Sequence, residues 1–236
     1  KTMEMLEILR NGIAGLMLIC CLAACERIDS EVSDNLPNLR TITAVEQQVI
    51  TSANNFSMEL LGAINQLHAD ENVFISPFSV SAALSMTLNG ARGETKEAMK
   101  QTLHLSHMSN EEINAAYKGL VEFMLQLDRK VDLQIANSNW YTQELNIHAD
   151  FAAILREYYD AEVKAANFAD PSTLGRINGW IEDKTRGKIK DMLDFIPPDA
   201  VMYLINAIYF KADWQYTFDE KATSKKPFFT PSGEKQ

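Results

Sequence analysis

The chain has 236 residues, 46% hydrophobic and 23% charged, with 10 glycines and 7 prolines, a profile far from disordered or collagen-like chains. Its 22 basic and 32 acidic residues leave a formal charge of −10, which argues against nucleic acid or an anionic membrane surface as the main partner, since both reward a basic footprint. The length suffices for one large domain or two small ones, and nothing suggests a multi-span membrane protein.

All three cysteines, Cys20, Cys21 and Cys25, fall in the first 25 residues, so the remainder has no disulfide framework, thiolate metal site or thiol nucleophile. They sit in an uncharged run from Ile13 to Cys25, preceded by Lys1 and Arg10. The run is too short for a spanning helix of about 20 residues but suits the apolar core of a signal peptide. Its end, Leu22-Ala23-Ala24-Cys25, resembles the lipobox of bacterial lipoproteins, in which Cys25 would carry the lipid and become the new N-terminus. An ordinary signal peptide cut near Ala24, or a buried helix with incidental cysteines, are the alternatives. Residues 1–25 are thus read as a lipoprotein signal peptide, and the polar, aperiodic stretch 26–45 as a tether.

The pattern then changes. Val49, Ala53, Phe56, Leu60, Ile64 and Leu67 recur every three or four residues and predict an amphipathic helix over 46–67. Val73-Phe74-Ile75 reads as a short strand stopped by Ser76-Pro77, with a largely buried helix following to about Asn89 and broken by Gly90 and Gly93. A short helix is expected over 95–104. Ser109 and Glu112 form a capping box, and Ile113, Ala116, Tyr117, Leu120, Met124 and Leu127 mark the stripe of the helix it opens. Val131, Leu133 and Ile135 alternate with polar or small residues, predicting a strand that runs through Trp140. A helix over 150–159 follows, then one capped by Asp170-Pro171, striped by Leu174, Ile177 and Ile181 and ended by Gly187. The continuous apolar run VMYLINAIYF at 201–210 reads as a strand buried on both faces. Helices cluster early and strands lie far apart in sequence, an α+β pattern of helices with mixed or antiparallel sheets.

The search for chemistry is mostly negative. There is no Gly-x-Ser-x-Gly elbow, His-Glu-x-x-His, phosphate loop or dinucleotide fingerprint, so no catalytic residue, metal or cofactor is assigned. His104 and His107 have a spacing that could place two zinc ligands on one face, but no third ligand stands nearby and solvated surface histidines are the better reading. His68 and His148 are assigned turn or cap roles. Lys184, Arg186, Lys188 and Lys190 form a basic cluster diluted by Glu182, Asp183 and Asp191, which reads as a solvated helix end. One residue stands out: Asn206 shares a strand face with Met202, Leu204, Ile208 and Phe210. An unpaired buried amide costs about 1–3 kcal/mol, so Asn206 needs polar partners, either for a purely structural role or as a latch in a sheet that must open.

Three groups of residues resemble the serpins. Asn72-Val73-Phe74-Ile75-Ser76-Pro77-Phe78-Ser79-Val80 with Leu88-Asn89-Gly90-Ala91-Arg92-Gly93-Glu94-Thr95 is similar to the family's junction of a strand with its second and third helices. Ile177-Asn178-x-Trp180-Ile181 with Thr185-x-Gly187-Lys188-Ile189 resembles its sixth helix, and Leu204 to Lys211 with Trp214 resembles the third strand of its main sheet. The likeness covers about residues 46 to 236. It implies a serpin domain that inhibits a serine protease, or a cysteine protease, when a cleaved reactive loop inserts as a new strand beside 201–210. By motif position it implies that Ser76, Ser79 and Asn206 form the shutter controlling that parting, and that Trp214 is the breach aromatic where insertion begins. The reactive loop follows the third strand in the family, so 46–236 is expected to be the N-terminal portion of a serpin domain whose full version continues. A serpin-fold binding or scaffold protein is the alternative, and no cofactor is implied.

Overall fold

A computed structural model describes residues 39–69, 71–230 and 233–235; Cys20, Cys21, Cys25 and most of the expected tether lie outside the described residues. The elements are α1 (Ala44–Leu67), α2 (Pro77–Gly90), α3 (Gly93–Thr102), α4 (Asn110–Gln126), β1 (Asp132–Thr142), α5 (Ala149–Tyr159), β2 (Ala161–Ala166), α6 (Pro171–Lys184), β3 (Met202–Lys211), β4 (Phe228–Thr230) and β5 (Gly233–Lys235). Helix starts follow the residues that can satisfy free backbone N–H groups. Thr43 and Ser109 close full capping boxes with Glu46 and Glu112, and Ser76 and Asp170 cap helices whose first residue is proline. Past α6, Gly187 has a φ of +72°, and its N–H donates to the Glu182 carbonyl at 2.7 Å, a left-handed cap that glycine adopts without a Cβ penalty.

The sheet has the order β2-β1-β3, with β2 parallel and β3 antiparallel to β1. One face packs on helices: Leu204 and Val163 meet a core of Ala82, Met86, Tyr117, Leu155, Tyr159 and Ala161. The other face, with Trp140, Ala166 and Ala207, lies under Ile177, Trp180 and Ile181 of α6. A third cluster, around Phe56, Leu103, Leu105 and Ile113, joins α1 to α4.

Three expectations need correction. Val73–Ile75 forms no strand: it has no ladder partner among the described residues, and Phe74 is fully exposed. The run 201–210 is not buried on both faces: Ala207 is its one buried residue and Phe210 is 65% exposed, because the second edge of β3 pairs with no described strand. Finally, β2 arises where no strand is expected. Its sequence, AEVKAA, is poor in β-formers, and it is held by its parallel register on β1 after an abrupt reversal at Asp160, φ 49°. β1, α5 and β2 thus make one βαβ unit within the α+β layout.

Ahead of α1, Arg40 binds the Glu46 carboxylate at 2.8 and 2.6 Å and also donates to the Gly119 carbonyl at 2.8 Å, joining the start of α1 to α4. Arg40 and the Thr43 backbone N–H, against the opposing effect of burial, bring the Glu46 carboxyl down from 4.5 to about 2. A depressed carboxylate contributes its stability above the unfolded-state pKa and loses it as pH falls through the folded one. Glu46→Gln should therefore lower Tm by a constant amount at neutral pH, and the difference should shrink between about pH 4.5 and 2. A β-carbon on Gly119 would lie 2.6 Å from Glu46 Oε1. Gly119→Ala should thus lower stability in chemical denaturation, although a helical Gly→Ala change usually adds about 0.5–1 kcal/mol.

Candidate functional site: the amide seam of the sheet

Asn206 faces Asn137 directly across the β1–β3 ladder. Its Nδ2 donates to Asn137 Oδ1 at 2.8 Å, and Asn137 Nδ2 donates to the backbone carbonyl of Tyr159 at 2.6 Å, where α5 ends. From there the Tyr159 hydroxyl donates to Asn114 Oδ1 at 2.7 Å, and Asn114 and Asn89 exchange amide hydrogen bonds at 2.9 Å each. Asn89 closes the chain on the Ser85 carbonyl at 2.9 Å. Polar groups thus run from the outer strand through β1 and α5 to α4 and α2, and Asn137, Tyr159, Asn114 and Asn89 are all buried.

The seam is incompletely satisfied. Asn206 Oδ1, Asn139 Oδ1 and the Tyr117 hydroxyl are buried without a hydrogen-bond partner among the described residues; a buried polar group left so costs about 1–3 kcal/mol. Asn139 shares the strand face of Asn137, and its Nδ2 reaches only the Met202 sulfur at 3.4 Å. Tyr117 is stacked between Phe78 and Tyr159, with ring centroids at 5.8 and 4.5 Å. Burial pushes its phenol up to about 12, opposed by the nearby Asn137 amide, which lies outside hydrogen-bond geometry. Burial raises Tyr159 as well.

Ser76 and Ser79 lie at the start of α2, with Ser79 N–H and Oγ both donating to Ser76 Oγ at 3.3 and 3.0 Å. No hydrogen bond among the described residues joins this pair to Asn206. Trp214, 71% exposed, sets its ring edge-to-face against Phe218 at 5.4 Å.

On the opposite sheet face a second polar group fastens α6. Glu162 of β2 accepts from Trp180 Nε1 at 3.0 Å and pairs with Lys164 at 2.5 Å and Lys184 at 3.3 Å. Lys164 foremost, then Trp180, hold its carboxyl at about 2 against the effect of burial. The basic cluster is largely internally paired: besides Lys184, Arg186 meets Asp132 at 2.5 Å and Lys190 meets Glu182 at 2.9 Å. His68 caps the end of α1, and His148 stands at the N-cap of α5 without a side-chain cap bond. His104 pairs with Glu59 at 3.0 Å, and no group of three candidate metal ligands occurs among the described residues.

Sequence reasoning singled out Asn206 but not Asn137, Asn114, Asn89 or Tyr159. Asn137 was within reach, because it has the parity of Leu133 and Ile135 on its own strand. The helical asparagines offer no such signal, since a lone Asn on a helix reads as surface.

A mixed sheet with helices on one face and a single fastened helix across the other, crossed by a polar seam that joins β3 to β1, defines an α+β protein built around that sheet. A family profile described as Serpin (serine protease inhibitor) matches residues 51–236. An uncharacterized serpin-like protein of Thermococcus kodakarensis is 33% identical over 194 residues, covering 80% of this chain and 44% of its own. Corticosteroid-binding globulin of Homo sapiens is 33% identical over 184 residues, covering 76% and 45%. Among solved structures, the thermophilic serpin tengpin in its latent state has a TM-score of 0.69 at 35% identity, over 84% of this chain and 52% of its own. Reactive-loop-cleaved human thyroxine-binding globulin has a TM-score of 0.74 at 28% identity, over 82% and 58%. The chain belongs to the serpin family. It spans about half the length of the curated relatives it matches.

Because the amides at 137 and 206 share one hydrogen bond and little else, their removal should be non-additive. In a double-mutant cycle of Asn137→Ala and Asn206→Ala, urea denaturation should give a coupling energy of about 0.5–3 kcal/mol, with Asn137→Ala the more damaging single change because it also frees the Tyr159 carbonyl.

Proposed function

We propose that the whole protein inhibits a serine protease, or a cysteine protease, as a suicide substrate whose cleaved reactive loop inserts as a strand beside β3. The protease nucleophile attacks the scissile carbonyl and expels the amine, leaving an acyl-enzyme. Strand addition to the sheet then carries the tethered protease away before water can release it. The observation that supports this reading is the seam: an apolar, half-buried strand with one edge unpaired among the described residues, joined to β1 through the Asn206–Asn137 amide pair. In this reading Ser76, Ser79 and Asn206 act as the shutter and Trp214 as the breach residue, while α6 and its Glu162 contacts must yield as the new strand enters. In this reading the protein is an inhibitor and not an enzyme.

A second reading, a serpin fold that binds without inhibiting, draws on the likeness to corticosteroid-binding globulin. One experiment separates the two. Incubated with trypsin-like and elastase-like proteases, the full-length protein should give an SDS-stable complex of the summed masses; a loop that is cut or ignored without such a complex rejects inhibition. The shutter role adds that Asn206→Ala should change the rate of conversion to the loop-inserted form, read by native gel, whereas a merely structural Asn206 would change stability alone.

We also infer export, with anchoring through a lipid on Cys25. Cys25→Ala expressed in a bacterium should lose labelled-palmitate incorporation and leave the membrane fraction.

A further inference from the structure

Where α6 ends, the backbone takes a conformation that its sequence does not favour. Arg186 has a φ of 49°, in the left-handed region that strains a residue carrying a β-carbon, one position before Gly187, which adopts it freely. That turn sets the guanidinium against the sheet. Its two terminal nitrogens take both carboxylate oxygens of Asp132, at 2.5 and 3.0 Å, and its central carbon stands 4.8 Å from the centre of the Tyr209 ring. Gln134, with its amide oxygen turned toward the guanidinium, accepts from Arg186 Nε at 3.1 Å. Asp132 opens β1, and Gln134 and Tyr209 face each other across the β1–β3 ladder, so one side chain spans both strands. The other polar contacts of α6 with the sheet go to Glu162 of β2. Among the described residues, no further side-chain hydrogen bond or ion pair joins α6 to β1 or β3.

The segment 185–193 that follows is bound to α6 itself. Thr185 Oγ1 accepts the Ile189 N–H at 3.0 Å, and Asn178 accepts the Leu193 N–H at 2.9 Å while donating to the Leu193 carbonyl at 2.8 Å. Helix and segment therefore form one body. We propose that Arg186 is a positioning residue that latches this body onto the end of the β1–β3 ladder and sets how readily α6 lets go of the sheet. The forked pair with Asp132 and the cation over Tyr209 are directional and break together when the helix moves, whereas the apolar contacts of Ile177 and Ile181 can slide. A lysine offers neither the fork nor the flat face. The use of that release in strand entry rests on the proposed inhibition; the latch itself does not.

The test is amide hydrogen exchange of the full-length protein, followed by mass spectrometry, in Arg186→Asn, Arg186→Lys and Asp132→Asn. Asparagine tolerates the left-handed turn, so the first variant removes the fork without adding strain. Exchange over 171–184 should become about fivefold faster or more in Arg186→Asn, through loss of a paired charge and a ring contact, with exchange in α4 unchanged. Arg186→Lys should recover only part of the protection, and Asp132→Asn should add little to Arg186→Asn in the double variant. Unchanged exchange over 171–184, full protection in Arg186→Lys, or an equal increase in α4 overturns the latch. Should Arg186→Asn not fold, Asp132→Asn decides by the same readout. On native gels Arg186→Asn should also reach the loop-inserted form faster than wild type, by a similar factor. Faster exchange with no change in that rate denies the latch its part in strand entry. A wild type that forms no SDS-stable protease complex rejects inhibition and leaves the exchange result standing.

Discussion

An amide inside an apolar strand has to be answered by another polar group, and much of the arrangement follows from how that demand is met at Asn206. Its partner sits directly opposite on β1, so the pair also holds the register of the two strands. A slip by one residue would turn Asn206 toward Trp180 and Ile181 under α6 and leave Asn137 Oδ1 without its donor. Asn137 in turn depends on the Tyr159 carbonyl, which is available because α5 ends there and the chain reverses at Asp160. The outer strand is thereby coupled through a helix terminus to Asn114 and Asn89, two helices away.

The two faces of the sheet are held by different physics. Toward α2, α4 and α5 the contacts are apolar, crossed by one thread of amides and a stack of three rings. Toward α6 they combine an apolar stripe with the carboxylate of Glu162, held by two lysines and an indole N–H. Apolar contact tolerates small displacements, whereas directional hydrogen bonds either hold or break. A helix fastened by a few such bonds can be released as a unit.

The helices were legible because periodicity and capping are local. The Thr43 and Ser109 boxes, the Pro77 and Pro171 starts and the glycine after α6 all act within a few residues. β1 and β3 were legible from alternation and from a long apolar run. β2 was not, since Ala, Glu and Lys favour helix and only pairing with β1 makes AEVKAA a strand. Val73–Ile75 errs in the other direction: its residues favour a strand, but a strand exists only with a neighbour to bond.

The sequence by itself determined that these helices exist, the acidic balance, the family likeness and the oddity of one asparagine, because each depends on residue identity and near spacing. Tertiary structure decided which amide answers Asn206 and how far the polar thread extends. Those depend on groups up to 69 residues apart coming within 3 Å, a distance in space that spacing along the chain does not encode.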